Sequence, residues 1–206
     1  MDYIQCFHII KKNKKIEIKK SNYKFIEMSF YVFNTELVFT TEFNEPIDDY
    51  IEIIEKYDSI HFGNSFNQKI DNLPKNIKKI RLGHRFNQSL DNLPPNLEEL
   101  YLSIKFNLPV NNLPKTLKIL VFELFSFFNH EIDNLPPNLK KLELGFSFNK
   151  PVDFLPISLE CLTFRNVNYP HDLLNLPLSL KELKISKKYK GNVYINPDCK
   201  KIDLKN

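Results

Sequence analysis

Glycine is scarce in this chain, at four residues in 206, and tryptophan is absent. So few glycines exclude the Gly-rich loops that let a backbone close on phosphate groups. Cysteine is rarer still: Cys6, Cys161 and Cys199 are odd in number, far apart and in no C-x-x-C spacing, so neither a disulfide framework nor a zinc site is expected. No nucleophile elbow and no H-E-x-x-H pair occurs. Long apolar runs are missing as well. The stretch from Tyr3 to Ile10 is interrupted by Gln5 and His8 and ends in lysines, which is too short and wrongly flanked for a signal peptide, and nothing later spans a bilayer. No segment reads as a long amphipathic helix. These absences lead us to expect a soluble, intracellular, cytoplasmic protein that uses no membrane, cofactor or metal and is not an enzyme.

What the chain has instead is one unit repeated along its length, clearest from Phe86 to Leu102: F-N-Q-S-L-D-N-L-P-P-N-L-E-E-L-Y-L. Its second half, L-x-x-L-x-L, recurs as Tyr57/Ile60/Phe62, Ile77/Ile80/Leu82, Leu97/Leu100/Leu102, Leu117/Leu120/Phe122, Leu139/Leu142/Leu144, Leu159/Leu162/Phe164 and Leu180/Leu183/Ile185. Worn copies stand at Leu37-Val38-Phe39 and Cys199/Ile202/Leu204, so about nine short strands are expected. The last two apolar residues of each copy lie two apart and share one face of a strand, while the residue between them faces the other way. Stacked units then form a parallel sheet, and Leu-Pro, whose prolines recur every 20 to 22 residues, marks the return path. A unit this short leaves no room for a full helix, so the returns should be extended or 3₁₀, on the convex side of a solenoid. We divide the chain into a β cap at 1–33, a hairpin followed by a third run at Tyr23–Phe33; repeats at 34–185; and a C-terminal cap with a last strand at 186–206. Between Asp48 and Lys56 the expected Leu-Pro is missing, and one or two helical turns fit there.

The recurring F-N-x-x-[IVL]-D-N-L-P, read from Phe66 to Phe164, resembles the FNIP repeat family, a leucine-rich-repeat-like group of the kind found in amoebae and in giant viruses of amoebae. The resemblance implies a leucine-rich-repeat-like solenoid, mainly β, and a role in protein–protein interaction; for a viral protein the compartment would be the host cytoplasm. Some relatives carry an F-box, which implies a ubiquitin-ligase adaptor arrangement; residues 1–42 contain no such helical module.

Most repeat letters are assigned to scaffold. Phe66, Phe86, Phe106, Phe128 and Phe148 should stack as an aromatic spine. Asn67, Asn87, Asn107, Asn129 and Asn149 should form a buried ladder that pairs backbone groups at the bend. That placement removes Asn87-Gln88-Ser89 from consideration as a glycosylation acceptor. The acids Asp71, Asp91, Asp133 and Asp153 form a column read as turn caps rather than a calcium site, since Asn111 interrupts it. His130 and His171 occupy equivalent positions, His84 falls in a loop, and Cys161 is read as an exposed thiol.

What varies is the outward row of the sheet: Val38, His61, Arg81, Tyr101, Val121, Glu143, Thr163, Lys184 and Asp203. Its signs alternate, which does not suit a nucleic-acid track. Tyr101, Ile119 and Val121 form an apolar centre beside Arg81, a composition typical of interaction hot spots, unless the loop Glu123–Phe128 folds over it. The expected function is a monomeric, non-enzymatic scaffold that binds a protein partner through His61, Lys79, Arg81, Tyr101, Ile119, Val121 and Glu143. The alternative is a polyanion or nucleic-acid binder using the ends, since residues 1–20 hold six lysines against two acids and 181–206 hold eight against three.

Overall fold

The structure is a computed structural model that describes residues 5–12, 15–20 and 29–204. Its strands are β1 (Gln5–Lys12), β2 (Lys15–Lys20), β3 (Phe30–Phe33), β4 (Glu36–Phe39), β5 (Ser59–His61), β6 (Lys79–Arg81), β7 (Glu99–Leu102), β8 (Ile119–Phe122), β9 (Lys141–Leu144), β10 (Cys161–Phe164), β11 (Glu182–Ser186) and β12 (Lys200–Leu204). All belong to one sheet in the order β12-β11-β10-β9-β8-β7-β6-β5-β4-β3-β1-β2. From β4 onward each strand pairs in parallel with the next, which makes nine parallel strands and a right-through solenoid core. β1 pairs antiparallel with both β2 and β3. Of the run Tyr23–Phe33 the part before Ser29, and the turn at residues 13–14, lie outside the described residues.

β3 and β4 form an antiparallel hairpin whose two turn residues, Asn34 and Thr35, both have positive φ, 46° and 69°. That is the backbone of a two-residue hairpin turn, matched to the twist of the strands it joins. A β-branched threonine seldom adopts it, and the sequence shows no glycine there to announce the hairpin.

Within each repeat the strand residues alternate between core and solvent. Leu100 and Leu102 are fully buried while Tyr101 between them is half-buried on the other face, and β8 and β9 repeat the pattern. The return path closes with a turn at each proline. Having no N–H, proline can only accept, and Pro74, Pro94, Pro114, Pro136, Pro156 and Pro177 each accept the amide three residues on at 3.0–3.2 Å. The residue just before the closing leucine secures the stack. Asn96 and Asn138 donate to carbonyls of the preceding turn, as do the Thr116, Ser158 and Ser179 hydroxyls. The departing first turn holds a 3₁₀ turn at Ile47–Tyr50 and one α-turn, α1 (Ile51–Ile54), whose Ile53 and Ile54 plug the core.

The rings form a column longer than the motif implies. Phe43, Phe66, Phe86, Phe106, Phe128, Phe148, Tyr169 and Tyr189 follow one another at centroid separations of 5.8–6.4 Å. Tyr169, where the Phe-Asn motif has decayed, keeps its place and donates its hydroxyl to the Lys150 carbonyl at 2.8 Å. Neighbouring strands of a sheet lie about 4.8 Å apart. Equivalent rings are farther apart than equivalent strands, so successive turns fan open on the ring side and the sheet takes the inner curve.

The asparagine ladder runs from side chain to backbone. The amides of Asn67, Asn87, Asn107, Asn129 and Asn149 donate in succession to the Oδ1 of Asn44, Asn67, Asn87, Asn107 and Asn129 at 2.8–3.1 Å. These asparagines lie at the rim rather than in the interior; only Asn67 is even half-buried. The bend sits at the edge of the solenoid, so one face of each amide meets water while Oδ1 serves the next turn. Asn87→Leu is expected to lower the melting temperature by the equivalent of about 0.5–1.5 kcal/mol, the net worth of one such bond. Asn87→Asp, which keeps the acceptor, should recover most of it. A Leu variant that melts with wild type would show the ladder to be passive.

Candidate functional site

The parallel register brings the outward residues into one row: Val38, His61, Arg81, Tyr101, Val121, Glu143, Thr163 and Lys184 are successive partners. The row then departs from expectation, because β12 pairs Ile202 with Lys184 and Asp203 with Ile185. The last turn is shorter than the others, so its strand meets β11 one residue out of step and Ile202 replaces Asp203 in the row. Val38 and Thr163 are buried rather than presented.

At the centre, the Arg81 guanidinium lies 3.9 Å from the centroid of the Tyr101 ring, with Lys79 Nζ at 6.0 Å. Stacking of this kind desolvates one face of the ring and fixes the arginine. The Tyr101 hydroxyl donates to Glu99 at 3.0 Å. Burial, then that bond, raises its pKa above the ordinary tyrosine value and keeps the ring neutral. Ile119 and Val121 stand half-exposed beside it on β8.

Glu36 of β4 organises the near side, although its side chain has no motif to mark it. Its carboxylate accepts the Ser59 hydroxyl at 2.8 Å and lies 3.4 Å from Lys79 Nζ and 3.7 Å from Arg81 Nε. His61 is enclosed by this group. Burial lowers its pKa, aided by Arg81 and Lys79 and opposed by Glu36, so the ring is neutral near pH 7. On the far side Glu143 is held by Lys141 at 2.8 Å and by Arg165 at 3.2 Å. Burial opposes its ionisation, but those two cations outweigh it and the carboxyl stays below its usual range. The seven residues His61, Lys79, Arg81, Tyr101, Ile119, Val121 and Glu143 thus share one face. Polar neighbours pair the ions at each end, and the middle stays apolar.

The loop after β8 does not close over that middle. Phe125 and Phe127 are 60% and 55% exposed, and Phe125 meets Phe146 of the next turn at 6.3 Å. The inserted residues instead project along the edge where the strands end. Near them Glu123 lies 3.8 Å from His84, and burial pushes its carboxyl above the usual range.

The remaining candidates take structural places. Asp91 and Asp153 accept from Asn112 and Asn175 of the following turns, which ties the acid column into the stack. No cluster of potential metal ligands occurs among the described residues. His130 and His171 each place Nε2 against the carbonyl of the ladder asparagine one turn back, Asn107 and Asn149, at 3.0 and 3.3 Å. A groove of about 330 Å³ beside His130 is lined by Asn111, Glu131, Asp133 and Lys150 and carries both signs. Cys161 is half-buried, and burial raises its thiol pKa, which disfavours the reactive thiolate. Among the described residues no helix is long and apolar enough to cross a membrane.

Residues 66–105 and 128–166 match the family model described as FNIP Repeat. Among solved structures the chain is similar to CroV588, whose crystal structure is described as a novel circular LRR protein structure. The two are 33% identical with a TM-score of 0.64, over 78% of this chain and 29% of that one. This chain therefore spans less than a third of that protein's length. None of the curated proteins compared matches it.

Proposed function

Since this chain is an FNIP repeat-containing protein with a leucine-rich-repeat-like solenoid, we propose that it is a non-enzymatic scaffold, acting as a monomer, that binds a protein partner on the outward face of its parallel sheet. Solenoids of this architecture offer extended curved surfaces suited to such a role. The observation that carries the reading is the Arg81–Tyr101 stack beside Ile119 and Val121. Desolvated aromatic and arginine side chains at the middle of a surface, ringed by polar groups, are where binding energy concentrates. Glu36 and Glu143 hold the flanking cations in place, so little side-chain freedom is lost on binding. The alternative of polyanion binding through the lysine-rich ends is less well supported, since two of the C-terminal lysines already have carboxylate partners, Lys181 with Glu160 and Lys184 with Glu182.

The test is quantitative capture of partners by wild type and by a Tyr101→Ala/Val121→Asp double variant, both positions being half-exposed and tolerant of change. Each captured protein that binds through the sheet should lose at least tenfold in recovery with the variant. Equal recovery of every partner would refute the surface. Recovery that collapses with added salt, regardless of the variant, would favour the polyanion reading.

A further inference from the structure

The edge where the strands end carries a second surface that the sheet-face reading does not use. Backbone bonds define its rows: the amide of Arg85 donates to Asn64, that of Lys105 to His84, that of Phe127 to Ile104 and that of Phe146 to Leu124. Arg85, Lys105 and Phe127 therefore stand in one column on three successive turns. Beside and beyond them, the insertion after β8 sets Leu124 and Phe125 next to Phe146. Leu124, Phe125, Phe127 and Phe146 are 41–60% exposed. Such an aromatic cluster is uncommon on a surface that meets only water.

The charges beside it are one-sided. On the sheet face Lys79, Arg81, Lys141, Arg165 and Lys184 all have carboxylate partners. Arg85 and Lys105 are exposed and make no ion pair among the described residues. Glu123, which precedes Leu124 in the chain, faces His84. On the other side of the cluster the column continues to Ser147, with Arg165 already bound to Glu143. The edge thus reads as cations followed by aromatics along the solenoid axis, rather than aromatics ringed by cations as a membrane-inserting loop would be.

We propose that this edge is a docking surface for a short extended segment of another protein, acidic at one end and carrying aromatic or branched aliphatic side chains at the other. Its acids lie against Arg85 and Lys105 and its apolar side chains on Phe127, Phe125 and Phe146. Three turn-to-turn steps of about 5 Å each separate Arg85 from the far aromatics. An extended chain rises about 3.3 Å per residue, so roughly five residues span the site. The proposal rests on the scaffold reading but on a different surface from the sheet face.

The probe is a phage-displayed random dodecapeptide library selected on the intact protein. Selected peptides should pair Asp or Glu with Phe, Leu, Ile or Trp about three to five residues away. Their binding should fall at least tenfold on Phe125→Ser/Phe127→Ser and on Arg85→Glu/Lys105→Glu, and stay within twofold on Tyr101→Ala/Val121→Asp. All three pairs alter exposed or half-exposed side chains, and an unchanged circular-dichroism melt confirms the fold. Failure to select any peptide, selection of peptides without acids, or affinity retained on both edge variants would overturn the proposal. So would sedimentation with phosphatidylserine vesicles that the edge variants abolish, which would make the edge a lipid site. Loss on the sheet variant alone would refute the edge and leave the sheet face standing.

Discussion

Phe86→Ala is expected to cost about 3–5 kcal/mol of unfolding free energy, the range for emptying an aromatic site in a closed core. The ring is fully buried and lies between Phe66 at 6.2 Å and Phe106 at 6.4 Å, so its removal opens a cavity and breaks two ring contacts. Collapse around the void is restricted, because the strands on either side are locked in register by the sheet. In a solenoid each turn draws its stability from its neighbours, so a defect in the middle is felt on both sides. Tyr189→Ala provides the comparison: that ring ends the column with one stacked neighbour, Tyr169, and is half-buried, so it should cost clearly less. Urea unfolding of both variants measures the difference. A loss below about 1 kcal/mol at Phe86, less than one would expect even from a partly relaxed site, would show that the spine is passive filling.

Gly83→Ala should also destabilise strongly, through a single methyl group. A Cβ at Gly83 would stand 2.1 Å from the carbonyl oxygen of Gly63 and 2.5 Å from its carbon, and one at Gly63 would stand 2.0 Å from the Thr40 oxygen. The glycines here have no positive φ, so what demands glycine is space between successive turns and not conformation. The atoms that would be struck belong to the backbone, and moving them disturbs the amide–carbonyl bonds from Phe66 to Gly63 and from Phe86 to Gly83 that seat two spine rings. Overpacking a rigid core costs about 1–3 kcal/mol and sometimes more, and this site belongs at the upper end. Gly191→Ala is the control, since its methyl would meet the side chain of Tyr189, the half-buried last ring of the column, rather than backbone. Thermal melts that rank Gly83→Ala no lower than Gly191→Ala would contradict the close-approach account.

The solenoid was legible because its signals repeat. Leu97, Leu100 and Leu102 announce one buried face, and the same spacing six more times identifies a stacked sheet. The prolines give the length of each turn, and the extra residues between Phe122 and Phe128 mark an exposed loop. Features that occur once were hidden. The Asn34-Thr35 turn takes a backbone that its residues do not advertise, and Glu36 reaches Lys79 and Arg81 across an intervening strand, which no local pattern encodes. The recurrence of the asparagines announces a ladder, yet the ladder stands at the rim and not in the interior. Recurrence reveals that a side chain serves every turn, and it does not say whether that service is given at the core or at the rim.

The unequal spacing of rings and strands governs the radius of the molecule. Hydrogen bonds hold the inner side at a nearly fixed pitch, whereas the outer side is propped open by side-chain volume, so the chain carries its curvature as a chemical setting in each turn. Smaller outer residues would straighten the arc and larger ones tighten it, with no change to the sheet. A partner that lies across several turns therefore meets a surface whose bend is written on the opposite side, in residues it never touches.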